Sequence, residues 1–199
     1  MEILMSNRLI DEVDHPSVSI IEKARDGDEE AFAAIFAQHH LFIYKFIYAM
    51  LGDNSLAEEL TQETFLGAYR TIGSLRNDST LRTWLCAIAK NLVFTSFRQN
   101  RKEGLQSDEE IDGLHITDKV NPLPDKQVLN KELNKIILSA LEKLSEGKRL
   151  IFVFREMQDL SYKEISEITG DSISKLKTDL YRAKIEMRSM LRSYMEAKK

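Results

Sequence analysis

From residue 29 to residue 51 the chain carries Phe32, Ile35, Phe36, Phe42, Ile43, Phe46, Ile47 and Met50 at three- and four-residue spacing. That period belongs to one face of a helix and supplies most of a core. Nowhere do apolar and polar residues alternate as along a half-buried strand, so the expected class is all-α. Shorter helical stretches flank this one. Ile20, Ile21 and Ala24 share a side before a polar turn at 25–28, and a break at 52–55 offers Asp53, Asn54 or Ser55 as a cap for a helix over 56–69. A polar break at 73–80 precedes a further helix over 81–97.

Residues 103–126 interrupt the pattern. They are acidic, contain two of the three prolines and show no apolar stripe, which reads as a flexible tether. The organisation expected is a lead-in at 1–17, a helical domain at 18–102, an acidic flexible linker at 103–126 and a second helical domain at 127–199. In that second domain 127–144 is amphipathic, with Leu133 and Leu141 among its apolar residues, and 148–157 forms a short apolar helix. Ser161 followed by Glu164 is a capping box, and Gly170 supplies a C-terminal turn. A last helix turns Ile173, Leu176, Leu180, Ala183, Met187 and Leu191 inward. Short helix, glycine turn and a second helix with polar and basic residues outward make a helix-turn-helix.

The formal net charge of −4 hides blocks of opposite sign. Residues 1–67 carry 13 acidic and 4 basic groups, whereas 76–102 carry 6 basic and 1 acidic. The linker returns to acid, and 160–199 holds 9 basic against 6 acidic groups. DNA senses local field over a Debye length of about 10 Å, so two basic blocks can bind it while acidic blocks face elsewhere.

The sign change falls inside one stretch, 56–102. Glu59, Gln62, Glu63 and Leu66 stand at i, i+3, i+4 and i+7, hence on one helical face. A solvated acidic face accounts for the glutamates alone. Leu66 on the same face suggests a basic protein partner. Beyond the break, Trp84, Phe94 and Phe97 interleave with Arg82, Lys90, Asn91 and Arg98, the combination that holds unstacked bases and their phosphates. Trp84 fits core packing and strand separation equally, and the two are compatible if one ring face is buried.

Other chemistries find no support. One cysteine, Cys86, on an apolar helical stretch is expected to be a small core residue, and its solitude fits a reducing cytoplasm. His15, His39, His40 and His115 lack metal-ligand spacing, and there is no glycine-rich phosphate loop or nucleophile elbow, so neither catalysis, metal nor cofactor is expected. No apolar run reaches the ~18 residues that span a bilayer, and no signal peptide opens the chain.

Taken together, AEELTQETFL at 57–66, RTWL at 82–85, IAKNL at 88–92 and Arg98 resemble region two of the extracytoplasmic-function sigma factors of bacterial RNA polymerase. LSYKEI at 160–165 and LKTDLYRAK at 176–184 resemble their region four. The resemblance implies a promoter-specificity factor. Glu59, Gln62, Glu63 and Leu66 would dock the clamp helices of the polymerase largest subunit, and region four would lie near the polymerase flap. Arg76, Asn77, Asp78 and Ser79, with Arg82 and Trp84 behind them, would capture and separate the minus-ten element, and Lys90, Asn91 and Arg98 would contact it. The helix from Ser174 would enter the minus-thirty-five major groove, with Lys175, Thr178 and Arg182 at base edges or in the groove, Lys177 and Lys184 on phosphates, and Tyr181 among its outward DNA-binding residues. An anti-sigma factor is implied by the family alone.

Thr95 stands where many members have an acid, Asp179 where many have a base, and Ser145 where a proline is frequent. No appended C-terminal domain is expected after Met195. Two other functions compete. A helix-turn-helix regulator acting on intact duplex explains 127–199 equally well, but leaves the acidic face and the Trp-bearing basic helix unexplained. A polymerase-binding protein that never touches DNA leaves both basic blocks without a role.

Overall fold

The computed structural model describes residues 18–75, 80–104 and 125–197. Eight α-helices are present among them: α1 (Val18–Arg25), α2 (Glu29–Leu51), α3 (Asn54–Thr71), α4 (Leu81–Gly104), α5 (Asp125–Glu142), α6 (Glu146–Phe152), α7 (Tyr162–Thr169) and α8 (Ile173–Ala197). A 3-10 turn, Ile72–Ser74, follows α3, and a π-helical turn, Val153–Met157, follows α6. No strand occurs among the described residues, as the apolar periodicity requires. The linker assignment at 103–126 lies almost wholly outside the described residues, as do the lead-in and the 76–79 loop.

The first set of helices is α1 to α4. Asp28 caps α2 by accepting from the Ala31 amide at 3.0 Å, and Asp53 caps α3 by accepting from the Leu56 amide at 2.9 Å. Between them Gly52 closes α2 at φ 74°, the left-handed conformation that a side chain resists. A Cβ there would also lie 2.6 Å from Glu142 Oε1, but that is the far end of a flexible side chain, so it is the backbone conformation that calls for glycine. Ile35, Ile43, Phe46, Ile47 and Met50 of α2 are buried against α3 and α4. Phe36, expected in the core, is instead 40% exposed and stacks on His40. His39 beside it is buried. The α2 helix is apolar over more of its circumference than its buried stripe needs, which the spacing alone could not resolve.

The second set runs from α5 to α8. Ser161 and Glu164 form the expected capping box at the start of α7, and Gly170 ends it at φ 77°. Leu176, Leu180, Ala183 and Met187 of α8 are buried. Ile173, expected inward, is instead 42% exposed at the first position of α8, and Leu133 of α5 is 52% exposed. Asp159 sits at φ 54° in the turn before α7, a conformation that Asp tolerates better than most residues.

The two sets share one continuous core. Phe46 of α2 and Phe154 of the π-helical turn, both fully buried, stack with centroids 4.5 Å apart. Arg149 of α6 donates to the Met50 carbonyl at 2.6 Å and to the Glu142 carbonyl at 2.5 Å, while its guanidinium lies 5.6 Å from the centre of the Phe97 ring. It thus joins the C-terminal ends of α2 and α5, where unpaired carbonyls favour a cation.

Candidate polymerase and nucleic-acid interfaces

The first candidate surface lies along α3. Ala57, Leu60, Thr61, Thr64, Phe65 and Ala68 are buried, which turns Glu59, Gln62, Glu63 and Leu66 outward together. Leu66 is 56% exposed, a large apolar side chain among carboxylates. Next to it opens a groove of about 630 Å³ between α2 and α3. Its walls include Phe32, Phe36, Phe65 and Tyr69. The rings pack edge to face, Phe32 on Tyr69 at 5.0 Å and Phe36 on Phe65 at 4.8 Å, leaving an apolar floor open to solvent. The sequence pattern pointed to the acidic rim and missed this floor. The excess apolar width of α2 was the available signal.

The second surface lies on α4. Thr80 marks its start: its hydroxyl accepts from the Thr83 amide at 3.2 Å and shares a 2.6 Å hydrogen bond with the Thr83 hydroxyl. At the other edge of the 76–79 loop, the Arg25 guanidinium donates to the Leu75 carbonyl. Both ends of the loop that carries Arg76, Asn77, Asp78 and Ser79 are therefore tied down, although those four residues lie outside the described ones. Arg25 was not anticipated, because its role spans 50 residues of sequence.

Leu81, Thr83, Leu85, Cys86, Ala89 and Val93 bury one side of α4. Trp84 is half-buried, with part of the indole left accessible. Cys86 is a core residue, and burial pushes its thiol up to about 12, with the Arg82 charge acting the other way. Arg82 lies 5.1 Å from the Phe42 ring centre. Asn91 and Arg98 are exposed. The Thr95 hydroxyl donates to the Asn91 carbonyl and accepts from Arg98, each at 2.9 Å, so the residue that departs from the family pattern orients a cation. Lys90 is partly buried, which lowers its ammonium below the ordinary lysine value, against the pull of Asp171.

The third surface is the outer face of α8. Ser174, Lys175, Lys177, Thr178, Tyr181, Arg182 and Lys184 are all exposed, Tyr181 by 67%. Several are already engaged. Lys175 pairs with Asp171 at 2.7 Å, Lys177 lies over the Tyr162 ring at 5.7 Å, and Lys184 pairs with Glu156 at 2.8 Å. The Thr178 hydroxyl donates to the Ser174 carbonyl at 3.0 Å. Exposed pairs of this kind are worth about 0–1 kcal/mol and exchange readily for phosphate. Among the described residues no group of three or more His, Cys, Asp or Glu side chains is placed to hold a metal, and no helix is long and apolar enough to cross a membrane.

Comparison with known proteins falls on these same segments. The profile of Sigma-70 region 2 matches residues 35–103, and that of Sigma-70 region 4 matches residues 134–187. The chain is 32% identical to the ECF RNA polymerase sigma factor SigW of Bacillus subtilis, over 86% of this chain and 95% of that protein. It is 28% identical to the ECF RNA polymerase sigma-E factor of Escherichia coli, over 90% of this chain and 93% of that one. Among solved structures, CnrH in complex with the cytosolic domain of CnrY superposes with a TM-score of 0.67 at 19% identity, covering 88% of this chain and 96% of CnrH. RpoE of Bartonella quintana, solved with the anti-sigma factor NepR, gives 0.67 at 23% identity, covering 81% of this chain and 96% of that one. At those identities the structures speak for the fold.

Proposed function

The chain belongs to the extracytoplasmic-function sigma factors of the sigma-70 family and directs RNA polymerase to promoters, and we propose that its three surfaces divide that task. The α3 face binds core polymerase, through the clamp helices of the largest subunit. Its outward Leu66 and the apolar groove beside it favour a helix with an apolar row, and Glu59 and Glu63 favour basic flanks on that helix. The α4 face and the 76–79 loop take the minus-ten strand, with the accessible part of Trp84 separating the strands. The α8 face enters the minus-thirty-five major groove, and the second helical set rests near the polymerase flap.

The observation that carries this reading is the segregation of the acidic, apolar-floored face on α3 from the basic side chains of α4 and α8, some of which line a common cleft of about 570 Å³. A duplex-binding regulator would need only those of α8. We assign no catalytic residue and no cofactor, and place the protein in the cytoplasm with the polymerase. Structures of CnrH with CnrY and of RpoE with NepR support a proteinaceous antagonist for this chain as well.

The test is transcription in vitro with core polymerase and this protein on fragmented genomic DNA, with mapping of new starts. Discrete starts that share two spaced upstream elements are expected. No starts, with dimeric duplex binding by the protein alone, would favour the regulator.

A further inference from the structure

Thr95 stands on α4 between two residues assigned to the minus-ten element, Asn91 one turn before it and Arg98 one turn after. Its hydroxyl has a single proton and commits it to the Asn91 carbonyl at 2.9 Å. Toward Arg98 the oxygen can therefore only accept, and Arg98 Nη2 donates to it at 2.9 Å. Holding the guanidinium by one nitrogen leaves the rest of its planar fork for another acceptor. The holder is also neutral. A carboxylate three residues before the arginine would pair with it and offset its charge, as Glu146 does to Arg101 at 2.7 Å.

The surroundings preserve that charge as well. A depression of about 470 Å³ is walled by Thr95, Arg98, Gln99, Arg101 and Lys102, three cations and no acid. Arg98 is exposed, so no buried group requires the hydrogen bond that holds it, and a surface contact of this kind contributes little to the fold.

We propose that Thr95 is a positioning residue for promoter DNA: its hydroxyl aims the Arg98 guanidinium at a backbone phosphate of the minus-ten region and leaves the full positive charge to that phosphate. The proposal rests on the assignment of α4 as a DNA face. Residue 95 then sets how strongly binding through α4 depends on salt, since each phosphate neutralised releases counterions.

The test titrates core polymerase carrying the full chain onto a promoter fragment over a range of salt concentrations. Thr95→Asp, Thr95→Val, Thr95→Ser, Arg98→Ala and Thr95→Asp/Arg98→Ala are compared with wild type. Thr95→Asp pairs with Arg98 and is expected to lower the slope of log affinity against log salt by about 0.7–0.9, the share of one phosphate. Arg98→Ala lowers it equally, and the double variant loses nothing more, because both changes remove the same contact. Thr95→Val has the same shape without the hydroxyl. It retains the slope but loses the aim, and affinity falls about threefold or more at every salt concentration. Thr95→Ser restores the hydroxyl and with it the wild-type behaviour. A purely structural threonine would move thermal unfolding and leave the slope alone. A wild-type slope in Thr95→Asp, wild-type affinity in Thr95→Val or additive losses in the double variant overturns the proposal. If Arg98→Ala itself has no effect, the α4 assignment falls and the proposal with it. An effect of Arg98→Ala that Thr95→Asp does not share removes the proposal alone.

Discussion

Phe46 and Phe154 stack with planes only 15° apart, although one belongs to the α2 helix and the other to the π-helical turn of the second set. Truncating either ring leaves a cavity in a core that both sets share. Phe154→Ala is expected to cost about 3–5 kcal/mol. Because the core is continuous, urea should unfold wild type in one transition and the variant in two, followed by far-ultraviolet circular dichroism. Two transitions in wild type would mean that the sets are stabilised separately.

Glu63 is exposed on α3 and touches no core. Glu63→Lys is expected to change stability by no more than about 0.5 kcal/mol, yet to weaken core polymerase binding at least about tenfold, since a like charge then meets a basic partner. A pull-down titration with core enzyme reads the outcome, and unaltered affinity would remove the docking face.

Trp84 separates packing from chemistry through a pair of variants. Trp84→Phe keeps the buried part of the ring, while Trp84→Ala loses both faces. With the polymerase complex on a mapped promoter, permanganate reactivity of unpaired thymines should fall strongly for Ala and partly for Phe, with closed-complex formation retained. Opening that tracks thermal stability alone would return the indole to the core.

Lys177 leaves its position over Tyr162 to reach phosphate in this reading. Lys177→Ala should therefore reduce the slope of log affinity against log salt by about one unit on duplex promoter DNA. Arg182→Ala, if that side chain reads a base edge, should instead relax sequence preference at one position. Equal losses on all sequences from both variants would reassign Arg182 to the backbone.

Glu164 carries a pH signature. Its burial disfavours ionisation, but hydrogen bonds from the Ser161 side chain and amide and the nearby Arg82 guanidinium outweigh that, holding its carboxyl below the ordinary 4.5. The folded chain thus binds this proton less tightly than the unfolded one. The resulting stabilisation is complete above the ordinary value and is lost as pH falls through the lowered one. Unfolding followed across that acidic window should show a drop that Glu164→Gln flattens.

Much of this was legible in the residues themselves. The period of α2, the capping box at Ser161 and Glu164 and the glycine stop at Gly170 are local signals, and each specified its element. The outward set on α3 was legible too, because four positions at helical spacing need no tertiary information. What escaped the sequence was tertiary by nature. Phe36 and Ile173 are apolar and correctly phased, yet only the placement of neighbouring helices decides that they face solvent. Arg149 and Arg25 stand in no pattern that marks them out, because carbonyls they bind, at Met50 and Leu75, lie 99 and 50 residues away in the chain. The 570 Å³ cleft between the basic helix and the recognition helix joins residues from both sides of the linker, and no spacing rule connects them.

The partners of Arg149 are main-chain oxygens, at Met50 and at Glu142. A carbonyl is present whatever side chain its residue carries, so substitutions at positions 50 and 142 leave the bridge its acceptors. The two hydrogen bonds therefore outlast side-chain changes at either acceptor position, although Met50 is itself fully buried and the Glu142 carboxylate also favours the arginine's charge, whereas a change at the arginine removes the donor. Lysine, with one point-like charge in place of a planar fork, could not reach both oxygens in the same way. Among related chains the join should accordingly be traceable through a single column of an alignment rather than through a co-varying pair.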